Sequence, residues 1–364
     1  RNGTYVGAVT HKGAIGPQIE GWIWENLTLT LAGSPYTVLG DLVVTKNVTL
    51  AVEPGVVLKV VPNADGMGTG NAANRVEIVV ESLGSLLTDG SGAPVKIVVD
   101  HGQPTPGMWS GLTLKDSRSS RLDNLLIEYP SYGLLVTGPG VPIIEDVTIK
   151  HHNSTGIEVR DATAAPAIDL LGVQVIGAGR GTGILFNNSL GMVRSSYVTH
   201  HQTGISVQAT NSGLKPVHLV NNTIVHHTSG VQAYRSESSY DLRLYVYNNV
   251  IANSTSFAYE DRSGVSYRYV YSYHRNNNYY NLPNRQGNIY EDIGNIVTDP
   301  KIEDDDWEDF PRWWDGKLWA ESLAINTGSA AAGNLPARDL INRPRTIGVS
   351  PDMGPAPNPP ASEQ

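Results

Sequence analysis

Between residues 109 and 257 one pattern recurs: an apolar pair, a short polar turn, a glycine and a second apolar pair. It reads Ile127-Glu-Tyr-Pro-Ser-Tyr-Gly133, Ile149-Lys-His-His-Asn-Ser-Thr-Gly156, Val175-Ile-Gly-Ala-Gly-Arg-Gly-Thr-Gly183, Val198-Thr-His-His-Gln-Thr-Gly204 and Ile224-Val-His-His-Thr-Ser-Gly230. A sixth copy, Ile251 to Phe257, has Phe at the glycine position, and an earlier one begins at Trp109-Ser-Gly111. Successive glycine positions lie 22, 23, 27, 21, 26 and 27 residues apart. That period, with that slack, marks a solenoid whose coils accept insertions in their loops. Within each repeat the apolar residues alternate with period two and show no helical spacing, so the repeating element is a strand. Leucine-rich repeats share the period, but their Leu-rich signature is missing. The fold expected is all-β: a parallel β-helix with coils stacked about 4.8 Å apart and like positions forming columns. One inward column is Ile127, Ile149, Val175, Val198, Ile224 and Ile251; past the turn a second runs Leu134, Ile157, Ile184, Ile205 and Val231. Gly at the turn suits a left-handed or tight backbone.

Composition excludes several classes. Only 17% of the 364 residues are charged, and there are 38 Gly and 22 Pro, which argues against a helical bundle or coiled coil. The absence of cysteine removes disulfides, iron–sulfur clusters, cysteine zinc sites and thiol catalysis. A net charge of −9 speaks against a nucleic-acid partner. No apolar run approaches the ~18 residues of a membrane span. The chain opens on Arg1, so a removed signal peptide is expected, with an extracellular or cell-surface location. Seven Asn-x-Ser/Thr triplets, at Asn2, Asn26, Asn47, Asn153, Asn187, Asn221 and Asn253, are candidates for glycosylation.

Strand-like runs also precede residue 109, among them Val48-Thr-Leu-Ala-Val and Pro94-Val-Lys-Ile-Val-Val. Three stretches carry a family likeness: Ser34-Pro-Tyr-Thr-Val through Val52-Glu-Pro-Gly-Val-Val-Leu-Lys-Val60; the glycine-centred repeat; and Ser322-Leu-Ala-Ile-Asn-Thr-Gly328, Asp339-Leu-Ile-Asn-Arg-Pro-Arg345 and Pro351-Asp-Met-Gly354. Across roughly residues 30–355 the chain resembles the exported right-handed parallel β-helix repeat proteins of bacteria and archaea, which share the pectate-lyase-like fold. Family members more often carry Asp where Asn326 stands. The resemblance implies right-handed coils and a C-terminal capping segment. The expected organisation is an N-terminal arm and cap over 1–35, the β-helix over 36–296, and a C-terminal cap with a Pro-rich tail over 297–364. Function is not implied, because the family includes lyases, epimerases, tailspikes and adhesins.

The catalytic candidates are few. Outward positions on neighbouring coils place Glu128 beside Lys150, and Glu158, Arg160 and Asp161 cluster after the next turn. A surface ion pair between rungs is the favoured reading of these groups. The paired histidines His151-His152, His200-His201 and His226-His227 occupy one turn. Neutral imidazoles are good metal ligands, so His200, His201, His226 and His227 are candidates, against a stacked turn ladder in which His replaces Asn. The ladder is preferred, with neutral rings at pH 7, and no metal is assigned. The acidic run 303–309, with Asp304 and Asp306, would suit calcium but lacks EF-hand spacing. Trp307, Trp313, Trp314 and Trp319 are read as packing the tail over the last coil. Tyr is unusually common, 17 against 3 Phe. Tyr245 and Tyr247 are expected to point outward, as is one face through Tyr267, Tyr269, Tyr271 and Tyr273; such a surface is typical of interfaces.

Three functional classes follow. The favoured one is a non-catalytic structural protein that self-associates as a homo-oligomer or filament, suggested by outward apolar Leu126, Leu135, Ile176, Leu185 and Val225. The second is a lyase, epimerase or hydrolase of acidic glycans. The third is a carbohydrate-binding or adhesive module using Tyr and Trp.

Overall fold

The computed structural model describes residues 18–354 except 64, 66, 69–71, 73, 211–214, 237–240, 264–269, 282, 283, 304–316, 320, 341, 342 and 347–349. The fold is a parallel β-solenoid of about nine turns with almost no helix. The chain divides into two compact units, 1–168 and 169–364. Among the described residues no helix is long and apolar enough to cross a membrane.

In the first unit the strand Gln18–Ile23 pairs in parallel with Tyr36–Val44. Tyr36–Val44 pairs on with Val57–Val60 and Glu77–Val80. Glu77–Val80 pairs with Gly111–Lys115, which leads to Tyr132–Thr137 and Thr155–Arg160. A second face runs from Val57–Val60 through Val95–Val99 to Arg121–Glu128 and Ile143–Lys150. The coil stack therefore opens earlier than residue 36: Gln18–Ile23 and Leu27–Leu29 already hydrogen-bond as its first coil. Alternation is the reason, since Ile19, Ile23, Leu27 and Leu29 are all buried.

In the second unit Gln174–Ile176, Tyr197–Ala209, Thr223–Arg235 and Val250–Ala252 stack in parallel. A second face runs through Gly191–Arg194, Lys215–Val220, Leu242–Tyr247, Val270–Arg275 and Ile289–Ile293. Val175, Val198, Ile224 and Ile251 face one another in register and are buried, as are Ile127 and Ile149 in the first unit. The second inward column holds as well, through Leu134 and Ile157 in one unit and Ile184, Ile205 and Val231 in the other.

The repeated glycine proves to be a close-approach position. A Cβ on Gly183 would lie 2.6 Å from the Gly204 carbonyl oxygen, and one on Gly204 would lie 2.5 Å from that of Gly230. In five of the repeats the left-handed residue sits earlier and is not glycine: Tyr129, His151, His200, His226 and Asn253 have φ of 56°, 53°, 59°, 60° and 53°, whereas the Val175 repeat uses Gly179 and Gly181.

A second column of left-handed residues organises the far corner of the second unit: Ser195, Asn221, Asn248 and Asn276. The residue after each is buried. The Oδ1 of Asn222 accepts from the Ser196 N–H (3.0 Å), that of Asn249 from Asn222 N–H (2.9 Å), that of Asn277 from Asn249 N–H (3.0 Å) and that of Asn295 from Asn277 N–H (2.8 Å). Their amide groups donate to Val193, Leu219, Val246 and His274 carbonyls. Such a ladder satisfies the backbone where the chain turns away from sheet pairing.

The outer column supports the C-terminal segment. Asn221 Nδ2 donates to the Asp352 carbonyl (2.7 Å), Asn248 to Ser329 (3.1 Å) and Asn276 to Thr327 (3.1 Å), while Ser195 Oγ donates to Arg338 (3.1 Å). The segment braces itself too: Asn326 N–H donates to Asp352 (2.7 Å), and Arg345 donates to the Gly354 carbonyl (2.8 Å). Its apolar residues Leu318, Ala324 and Met353 pack on Tyr197, Val225, Val250 and Ala252. The segment expected to close the end of the solenoid is thus, in its described part, laid along the flank of the coils. This alters the outward positions. Period-two alternation turns Ile176, Thr199, Val225 and Ala252 outward, yet all four are buried. For Val225 and Ala252 the cover is the chain's own C-terminal segment.

Candidate functional site

The histidine corner is a stack. In the second unit His200 lies on His226 with ring centroids 5.0 Å apart, and His201 on His227 at 5.4 Å. The outer ring of each pair belongs to a left-handed residue; the inner ones are buried. His227 uses both nitrogens: Nδ1 accepts from His201 N–H (3.1 Å) and Nε2 donates to the Val198 carbonyl (3.0 Å). Burial pushes its pKa down to about 3. In the first unit the same corner stacks Tyr129 on His151 at 4.7 Å, and buried His152 is likewise held at about 3. Among the described residues no three His, Asp or Glu side chains are grouped to hold a metal ion. Asp304 and Asp306 lie outside the described residues.

The charged candidates fall on two faces of the first unit. Glu128 and Lys150 are in register on adjacent strands. Lys150 is buried, and burial raises the Glu128 pKa although Lys150 and Lys96 pull it down. Glu158 and Arg160 form an ion pair at 2.7 Å in which the carboxylate is buried and the guanidinium half exposed. Asp161 is exposed. Arg160 borders a cleft of about 200 Å³ with Glu77, Thr113, Tyr132 and Leu135. Ser110 Oγ donates to Glu77 Oε1 (3.1 Å), so that carboxylate is also engaged. The five catalytic candidates are therefore not brought to one site. In the second unit Ser272 Oγ and His274 Nε2 are 2.6 Å apart, a spacing suited to a nucleophile and its base. Both are buried inside the coil, so no substrate reaches them.

The sequons differ sharply. Asn26, Asn47 and Asn153 are exposed, and Asn187 and Asn253 are half-buried. Asn221 is 0% exposed, with its amide committed to Asp352. It has no room for a glycan, which corrects the expectation for that position. Asn2 lies outside the described residues.

The outward tyrosines form a ladder in the second unit. His218, Tyr245 and Tyr273 stack at 4.4 and 4.9 Å, and Tyr290 meets Tyr273 edge-on at 5.3 Å. Tyr271 and Tyr273 take the outward register, with Ser272 and His274 inside; Tyr267 and Tyr269 lie outside the described residues. Because these rings cover one another's faces, the ladder presents edges and hydroxyls rather than flat surfaces.

A larger cleft, about 370 Å³, is bordered by Asn253, Tyr280, Asp299, Lys301, Trp319 and Glu321. A short antiparallel ribbon, Ile302–Glu303 against Lys317–Leu318, sets Lys301 beside Trp319. Lys301 Nζ pairs with Glu321 at 2.8 Å, and Trp319 N–H donates to the Lys301 carbonyl (2.8 Å). Trp307, Trp313 and Trp314 lie outside the described residues. Sequence reasoning did not find this cleft, nor the asparagine corner. A signal for the corner existed: Ser195-Ser196, Asn221-Asn222, Asn248-Asn249 and Asn276-Asn277 recur 26, 27 and 28 residues apart.

A family defined as the right handed beta helix region matches residues 107–251. The fold of the chain is a right-handed parallel β-helix, the architecture that the matched region defines. No curated protein and no solved structure matches it.

Proposed function

We propose that the protein is a non-catalytic structural protein of the cell surface or extracellular space whose copies associate head to tail. The supporting observation is that both terminal strands expose large apolar side chains. Among the described residues, Gln18–Ile23 pairs only with Tyr36–Val44, and Ile289–Ile293 only with Val270–Arg275. These terminal strands carry or adjoin Trp22 and Trp24, stacked at 5.8 Å and 37% and 52% exposed, and Tyr290, Ile293 and Val297, 64%, 56% and 74% exposed. A terminal strand with an unpaired backbone edge and apolar side chains is a template for another chain. Contact between two different ends is heterologous and propagates into a filament unless rotation closes a ring. The dispersal of the charged candidates over separate faces, with Glu158 and Arg160 held in an ion pair, supports a non-catalytic reading.

Light scattering coupled to size exclusion over a wide concentration range, with negative-stain microscopy, tests this. Species larger than the monomer are expected, growing with concentration. Only monomers at every concentration would overturn the reading.

A further inference from the structure

We propose that the cleft beside Trp319 binds a neutral saccharide. A pyranose has one apolar C–H face and a rim of hydroxyls, so it is held by an aromatic surface bordered by planar hydrogen-bonding groups. The cleft supplies both. Trp319 is 54% exposed at its edge and Tyr280 is half-buried in its wall. Unlike the stacked tyrosines, Trp319 is a large aromatic left exposed on a concave surface. Around it stand the carboxylates of Asp299 and Glu321, the Lys301 ammonium and the Asn253 carboxamide. At about 370 Å³ the space accommodates one or two sugar rings.

The framework is fixed before any ligand arrives. Lys301 N–H donates to Asp299 Oδ1 (2.9 Å), Asn253 N–H to the Tyr280 carbonyl (3.1 Å), and Asn281 Nδ2 to Asn253 Oδ1 (3.2 Å). Each of these bonds leaves further acceptor or donor positions on the same groups for a hydroxyl.

Charge selects among sugars. Lys301 and Glu321 neutralise each other as an ion pair. Asp299 remains, so the cleft is net negative, as is the whole chain at −9. A uronic acid would place a second negative charge beside Asp299, whereas neutral hydroxyls donate to it. This site is independent of the proposed association through the terminal strands.

The experiment is calorimetry and saturation-transfer NMR on the full chain with maltohexaose, cellohexaose, mannohexaose, xylohexaose and hexagalacturonate. At least one neutral oligosaccharide is expected to bind more tightly than hexagalacturonate. Trp319→Ala, with its fold checked by circular dichroism, is expected to weaken that binding at least tenfold, while Tyr132→Ala in the other cleft leaves it unchanged. The double variant Asp299→Asn, Glu321→Gln leaves Lys301 unpaired and is expected to raise affinity for hexagalacturonate. Any of three results would overturn the proposal: no binding by the neutral panel at millimolar concentrations, tighter binding of hexagalacturonate by the unmodified chain, or full binding by Trp319→Ala.

Discussion

Asn249 accepts the amide hydrogen of Asn222 and donates to the carbonyls of Leu219 and Tyr247. Removing its carboxamide strands buried backbone groups, each worth about 1–3 kcal/mol. Asn249→Ala is therefore expected to cost about 3 kcal/mol in urea unfolding, against at most about 0.5 kcal/mol for exposed Asn153→Ala. A similar loss for both would remove the ladder's claim to hold the corner. Protons act at the same scale. His152, His227 and His274 are buried with pKa held at about 3 in the folded state, against about 6.5 when unfolded. Their neutral forms are stabilised by folding, so stability is intact above pH 6.5 and falls as pH drops from there toward 3. At pH 5 each should cost about 2 kcal/mol relative to pH 7. Asp146 works in the opposite sense: loss of hydration, then Asp123 and Glu145, raise its pKa to about 6, but the residue is exposed, so the relief from its protonation below that pH is small. Three imidazoles outweigh one carboxyl, and denaturant midpoints measured from pH 7 to 5 should decline.

At the scale of the element, the strands were legible and their coverings were not. Every coil imposes the same demand on its inward residue, so Val198, Ile224 and Ile251 announce themselves by repetition. The glycine was legible as a repeat but not as to cause: Gly204 is required by the Gly230 carbonyl of the next coil rather than by a left-handed turn. His226 and Asn253 share one left-handed column, a relation hidden by the resemblance of paired histidines to metal ligands. Nothing near Val225 in sequence signals that it is covered, because Leu318, Ala324 and Met353 arrive from about a hundred residues away. Val225 therefore read as part of an association surface when it is a docking site for the chain itself, while Leu126, Leu135 and Leu185 stay half-buried outside that contact. The cleft beside Trp319 escaped for the same reason, being assembled from separate stretches of chain. Met353 is fully buried in that contact, so Met353→Ala should cost about 2–4 kcal/mol. Thermal unfolding would check it, and an unchanged midpoint would mean the segment contributes little.

For the whole molecule, the proposed association of copies is open to test at the terminal strands. Replacing Trp22 and Trp24 together by Lys puts charge on the first strand without touching the inward column of Ile19 and Ile23. The expected outcome is a folded chain that stays monomeric in light scattering, since charges on an edge strand oppose pairing with another. Retained assembly in that variant would place the contact elsewhere. The sequence foretold this proposal only in part. A coil stack must end, which periodicity implies, but the exposure of Tyr290 and Val297 depends on where the last pairing stops.

The C-terminal segment has a mechanical consequence. A stack of parallel strands pulled along its axis opens one rung at a time, since each coil is bonded only to its neighbours. Here the segment runs from Asn276 past Asn248 to Ser195 and returns to Asn221, so it is stitched to four successive coils. Tension on any one rung of this set is shared with the others through the stitch. Those coils are then expected to yield together rather than peel in turn under load.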